Sequence, residues 1–264
     1  PKLILALTVD QFRYDYLTRF RDSYNGGLAQ LLTKGAVFTN AYYEHFPTVT
    51  AIGHSTFLTG ATPSISGIIG NEWFDREANR QVTSVFDDKA SMLGGEARGG
   101  GGGAASPRRM LVSTVGDELK MAGRGSKVIG ISVKDRSAIL PAGHMADGAY
   151  WFDPVSGNFV SSTYYFDQLP GWAEDFNKSR IADKFIGKQW TPITGGAAFK
   201  SMPAAPGKPY FNLLESTPYG NDVVVEFARA AIAGEQLGRR GNNITDVLAV
   251  SFSSNDYIGH AVGP

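Results

Sequence analysis

Cysteine is absent from all 264 residues. That excludes disulfides, cysteine nucleophiles and thiolate-bound metals, and it leaves the redox compartment open. Net charge is missing too. The 25 Lys and Arg residues balance 25 Asp and Glu residues, so neither nucleic acid nor an anionic membrane exerts a general pull. No apolar run approaches the roughly 20 residues needed to cross a bilayer. No signal peptide precedes the first strand, which is under way just after Pro1 and leaves export open. A phosphate-cradling glycine motif is lacking as well, because no Gly-Lys-Ser/Thr follows the run Gly99 to Gly103. What is present is an ordinary globular composition, 42% hydrophobic and 19% charged, with enough chain for one large domain or two smaller ones.

Residues 3–9 are continuously apolar and read as a fully buried parallel strand. Residues 14–33 read as a helix closed by Gly35, and 36–38 as a short strand. A helix is expected from Thr50 to Leu58 with Gly60 as its stop, another over 114–122, and a buried strand over 127–131. Residues 221–237 read as a helix with Asn221 as N-cap, and 246–252 as the last strand. Alternating strands and helices predict an α/β sandwich with a mostly parallel sheet. Residues 94–106 read as a flexible glycine-rich loop, and 141–220, rich in aromatics, Pro and Gly, as an inserted cap.

Chemistry-bearing residues cluster at strand ends, where sites of open α/β sheets form. The first strand ends in Asp10, which reads as a loop-capping carboxylate or a metal ligand. Thr50 falls at a helix start, where backbone N–H groups favour anions. It is an N-cap or a nucleophile, with Thr48 as its rival, and His54 one turn later reads as a hydrogen-bonded structural histidine. Asn71 is a turn residue or a donor to phosphoryl oxygen. If the backbone stays extended after the 127–131 strand, Lys134 and Arg136 point the same way and suit a dianion; otherwise they form a solvated charged turn. Asp256 and His260, four apart beyond the last strand, form half of a zinc site or a capped loop.

Taken together, these segments resemble the alkaline phosphatase superfamily, in particular bacterial alkaline phosphatases with a threonine nucleophile. Val9-Asp10-Gln11-Phe12-Arg13 resembles that branch's opening signature, and Thr48-Val49-Thr50-Ala51-Ile52-Gly53-His54 its nucleophile segment. The resemblance spans nearly the whole chain. It implies a three-layer α/β sandwich with a mostly parallel central sheet and an inserted cap, and hydrolysis of phosphate monoesters through a phospho-threonine. By resemblance Thr50 is the nucleophile, and Asn71, Lys134 and Arg136 bind phosphate. Asp10 and Thr50 match ligands of one of two zinc ions, and Asp256 and His260 match ligands of the other. Small-molecule phosphate esters are the implied partners of a monomeric, periplasmic or secreted protein.

The family pattern also includes an adjacent Asp-His pair and a distant His downstream. The remaining histidines, His45, His54 and His144, do not match them, and no Asp-His dipeptide occurs. The chain is therefore expected to be the N-terminal part of a longer catalytic domain, inactive by itself. A phosphodiesterase or nucleotide pyrophosphatase of the same superfamily is the nearest alternative. A non-catalytic binding module is the other, should the natural chain stop here. A sulfatase does not fit, because its nucleophile arises from a Cys or Ser within a Pro-x-Arg context.

Overall fold

The structure, a computed structural model, describes residues 1–96, 105–241 and 243–263. Elements run β1 (Leu3–Val9), α1 (Tyr16–Arg19), α2 (Gly27–Lys34), α3 (Thr50–Thr59), α4 (Pro63–Ser66), β2 (Glu72–Asp75), β3 (Arg80–Thr83) and β4 (Met92–Leu93). There follow α5 (Val115–Met121), β5 (Val128–Ser132), α6 (Asp135–Ala142), β6 (Gly148–Asp153), β7 (Asn158–Ser162) and α7 (Gly171–Lys178). The last are β8 (Gln189–Trp190), β9 (Lys200–Ser201), α8 (Lys208–Glu215), α9 (Pro218–Gly234), β10 (Asp246–Phe252) and α10 (Ser254–Val262).

Six strands form the main sheet in the order β1-β10-β5-β6-β7-β4. Its first four strands are parallel, and β7 and β4 join antiparallel. Strand alternation divides the core between the two faces. Tyr150, Phe152 and Phe159 pack with Val223, Val224 and Phe227 of α9 on one side. Ala149, Trp151 and Val160 pack with Ala138, Ile139 and Ala142 of α6 on the other. Phe159 and Phe227 stack with ring centroids 4.0 Å apart; full burial of each such side chain contributes about 1.5–3 kcal/mol. Helices on both faces of a mostly parallel sheet make the expected three layers.

Local signals held where short-range chemistry dominates. Gly60 ends α3 in the left-handed conformation, φ 67°, which glycine adopts without a Cβ penalty. Thr114 and Asp117 form a reciprocal capping box at the start of α5.

Several expectations did not hold. β1 is not buried: it ends the sheet with β10 as its neighbour, and Leu5 and Leu7 are 50% and 47% exposed. Its apolar run is that of a strand covered on both faces, and the described residues do not cover it. The helix expected over 14–33 is broken into α1, a 3-10 turn at Arg21–Ser23 and α2, since Tyr24 is extended and Gly26, the N-cap of α2, is non-helical at φ −120° and ψ −136°, a break that glycine favours through its backbone entropy. Residues 36–38 form no strand. Helix α9 starts at Pro218 behind Thr217, so Asn221 lies inside it; Pro at the first helical position sets the start. Of the cap expected over 141–220, β6 and β7 are strands of the main sheet and α8 packs into its core. Most of the glycine-rich loop, 97–104, lies outside the described residues.

Helix α6 rides close on β5 because Gly130 has no side chain. A Cβ there would sit 2.0 Å from the Ala138 carbonyl oxygen and 2.9 Å from Ala142 Cβ. Gly130→Ala is expected to lower the unfolding free energy in urea by about 1–3 kcal/mol with an unchanged denaturant slope. A loss below about 0.5 kcal/mol would show that strand and helix do not meet so closely.

Candidate active site

Because β1, β10 and β5 are parallel neighbours, the residues following them emerge at one edge of the sheet. Asp10 follows β1, Lys134 follows β5, and Asp256 lies in the first turn of α10 after β10. Helix α3, packed on α6, brings Thr50 to the same edge. Thr50 Oγ lies 3.4 Å from Asp10 Oδ2. Lys134 Nζ is 2.8 Å from Asp10 Oδ2, bonded also to Asp256 Oδ2, and 3.5 Å from Thr50 Oγ.

Thr50 is not the cap of its helix. Val49 is, without a side-chain bond, and the N–H of Ala51 instead donates to Asn71 Oδ1 at 2.9 Å. Asn71 caps α3 from another segment, which leaves the Thr50 hydroxyl free of that duty and the Asn71 amide NH2 as its donor end. Thr48 is exposed two residues before the helix.

Buried groups brace this arrangement. The His54 ring, 3% exposed, bridges the Thr50 carbonyl oxygen and Ser251 Oγ on β10, each at 2.8 Å. A carbonyl only accepts, so Nδ1 carries the proton and Nε2 accepts from the serine. Burial pushes the His54 pKa below its ordinary 6.5, outweighing the pull of Asp10. The Asp10 N–H donates to the Phe252 carbonyl at 3.0 Å, and Asn255 Nδ2 donates to the Asp10 carbonyl at 2.9 Å. Tyr257, its hydroxyl pKa raised by burial, sets its ring 4.9 Å from Lys134 Nζ.

Asp10, Thr50, Lys134 and Asp256 are thus brought together, with Asn71 at the same helix end. His260 Nε2 reaches Asp256 Oδ1 at 3.4 Å, but its side chain is 72% exposed. Arg136 departs from the extended reading: Lys134 is the N-cap of α6, and Arg136 lies within the helix, where a 3.6-residue turn replaces strand alternation. Its Nη1 is 3.6 Å from Asp135 Oδ1, and its buried Nε has no hydrogen-bond partner among the described residues. Ser251, Asn255 and Tyr257 were not foreseen. The signal available was a group of small polar residues, Ser251, Ser253, Ser254 and Asn255, flanking Phe252 at the carboxyl end of an apolar strand.

The donors match a divalent cation in kind: two carboxylates, a hydroxyl and a nearby imidazole, with an ammonium already bound where the first three converge. They are too few to complete a site. Among the described residues no group of three or more His, Asp or Glu side chains could hold a metal ion.

Residues 4–264 match the family of type I phosphodiesterases/nucleotide pyrophosphatases. The whole chain is 43% identical to alkaline phosphatase PhoV of Synechococcus elongatus, covering 52% of that protein. Ninety-eight per cent of it aligns at 42% identity with 52% of a protein from Myroides odoratus named a calcium-transporting ATPase. Alkaline phosphatase PafA of Elizabethkingia meningoseptica is 39% identical over the whole chain. The crystal structure of wild-type PafA superimposes with a TM-score of 0.89, the chain covering 55% of it. That of a PafA variant substituted at a threonine, an asparagine, a lysine and an arginine gives 0.90 at 37% identity. The chain spans about half the length of these relatives.

The depressed pKa of His54 has a signed consequence. Below about pH 6.5 the unfolded chain binds a proton at this histidine that the folded chain refuses, so folding stability falls with pH through that window. In urea titrations from about pH 6.5 to about 5, His54→Gln should show a shallower fall than wild type. Equal slopes would remove His54 as the source.

Proposed function

Because the chain belongs to the type I phosphodiesterase/nucleotide pyrophosphatase family, within the alkaline phosphatase superfamily, we propose that its protein hydrolyses phosphate monoesters with Thr50 as nucleophile, at a site for two zinc ions. The observation that carries this reading is the Thr50 hydroxyl, freed from capping at a helix N-terminus and hydrogen-bonded to Asp10. Asp10 orients that hydroxyl toward an incoming phosphoryl group and draws on its proton. The N-terminus of α3 favours the anionic substrate. Thr50 Oγ attacks phosphorus as its proton passes to Asp10, the ester oxygen leaves and takes a proton from water, and a phospho-threonine forms; the hydroxide so generated cleaves it to inorganic phosphate, and Asp10 returns the proton to Thr50 Oγ. Asn71 NH2, Lys134 and Arg136 hold the non-bridging oxygens. Asp10 and Thr50 would hold one zinc ion, and Asp256 and His260 the other, alongside ligands from beyond this chain's partial set. When bound, zinc supplies Lewis acidity that lowers the pKa of the threonine hydroxyl and offsets charge on the leaving oxygen.

Three likenesses support the reading. Relatives that cover the whole chain are named alkaline phosphatases. The substituted residues of the PafA variant are of the same four types, and its threonine–asparagine and lysine–arginine separations equal those of Thr50–Asn71 and Lys134–Arg136. The Myroides relative's name implies ATP as substrate, whose cleavage is also phosphoryl transfer. One observation favours the diesterase alternative. Lys134 is engaged by two carboxylates, which reduces the charge offered to a monoester's additional anionic oxygen.

The whole zinc-supplied protein should hydrolyse an aryl phosphate with higher kcat/KM than its methyl diester, and a clear diester preference would replace the monoesterase with a phosphodiesterase. Thr50→Ala should lower kcat by about three orders of magnitude or more; full turnover in that variant would refute the nucleophile.

A further inference from the structure

The chain is neutral as a whole, but its charge is not spread evenly. Residues 176–208 carry Lys178, Arg180, Lys184, Lys188, Lys200 and Lys208 against Asp183 alone. Lys178 pairs with Glu174 and Arg180 with Asp183; the other four lysines form no ion pair among the described residues. Lys184, Lys188 and Lys208 are exposed and Lys200 is half-buried. On α9, Asp222 lies within electrostatic reach of Lys184 and Lys188, with Glu226 one turn on; these two acids still leave the surface positive. Between Lys188 and Lys200 stands the β8–β9 hairpin, with Trp190 opposite Lys200. Its loop, residues 191–199, holds no charged side chain. Ile193 in that loop is 98% exposed, and Phe199, its ring 5.0 Å from that of Trp190, is 61% exposed. The base of the hairpin is fixed. The Tyr219 hydroxyl donates to the Gln189 carbonyl at 2.7 Å, and the N–H of buried Met202 donates to the Lys188 carbonyl at 2.8 Å. A rooted hairpin therefore holds an uncharged apolar tip above a base of lysines. An acidic protein or a nucleic acid would answer the lysines and leave Ile193 in water. A bilayer with anionic headgroups answers both: acyl chains take the apolar tip, and headgroup phosphates take the ammonium groups on their flexible stems.

We propose that the β8–β9 hairpin docks the protein on the surface of a bilayer containing anionic phospholipid. Ile193 and Phe199 enter the boundary between headgroups and acyl chains, and Lys184, Lys188, Lys200 and Lys208 meet the lipid phosphates. The contact is peripheral, since no helix among the described residues is long and apolar enough to cross a membrane. Its electrostatic part is screened by salt and its apolar part is not. Docking adds a location to the hydrolysis proposed above and does not depend on it.

The test uses the whole protein and sedimentation with vesicles of phosphatidylcholine, with or without phosphatidylglycerol. Wild type should bind the phosphatidylglycerol vesicles severalfold more tightly than the neutral ones, and less as salt is added. The double variant Lys188→Gln/Lys200→Gln should weaken binding about tenfold or more, and Ile193→Ser about tenfold. Both variants should melt, and hydrolyse a soluble aryl phosphate, as wild type does. A polarity-sensitive dye on Ile193→Cys, in a chain with no cysteine of its own, should shift to the blue when phosphatidylglycerol vesicles are added. Equal binding to both kinds of vesicle, binding unchanged by either variant, or a dye that does not shift would overturn the proposal. So would a cysteine at position 193 that resists maleimide in the whole protein, because the hairpin is then covered by other parts of it. Hairpin-dependent binding of single-stranded DNA without vesicle binding would replace the membrane with a nucleic acid.

Discussion

Parallel pairing of β10 with β1 on one side and β5 on the other is the constraint on which the candidate site depends. The register runs Leu3 against Asp246 through Val9 against Phe252, and Val128 against Val247 through Ser132 against Ser251. Three strands of one direction therefore end level. The residues just beyond them, Asp10, Lys134 and Asp256, have nowhere to go but the same edge. Asp246 holds the opposite end of β10 in place: its carboxylate accepts from the backbone N–H groups of Lys127 and Gly238 and pairs with Arg240.

Charge then decides what the sheet geometry permits. Two carboxylates gathered at a desolvated edge need a cation, and the chain supplies one in Lys134, between β5 and α6. The hydroxyl they surround comes from the other layer, on α3, and two bonds hold that helix to the site: Asn71 to the Ala51 N–H, and His54 to Ser251. The site is thus assembled by neutral hydrogen bonds on one side and by ion pairing on the other. Removing either kind would loosen Thr50 from Asp10 by a different route.

Much of the fold could be read along the chain where the signal is local. Asp246–Phe252 is a strand over the residues expected, and α3 runs from Thr50 to the Gly60 stop. Continuous apolar runs and a positive-φ glycine carry their own physics. Burial could not be read that way. β1 has the composition of an interior strand, yet most of its residues are exposed at the sheet edge, because exposure depends on neighbours from elsewhere in the fold. Arg136 likewise entered a helix that a strand-based alternation did not foresee.

The sequence by itself determined the layered α/β class, the placement of Asp10 at the end of β1 and the strand that leads to Asp256. Each of these follows from hydrophobic period and residue type within a few positions. Tertiary structure alone decided that Asn71, not Thr50, caps α3; that His54 meets Ser251, 197 positions away; and that Lys134 lies between two carboxylates. These are contacts between distant segments, and their partners are selected by sheet register and helix packing, which no local pattern encodes.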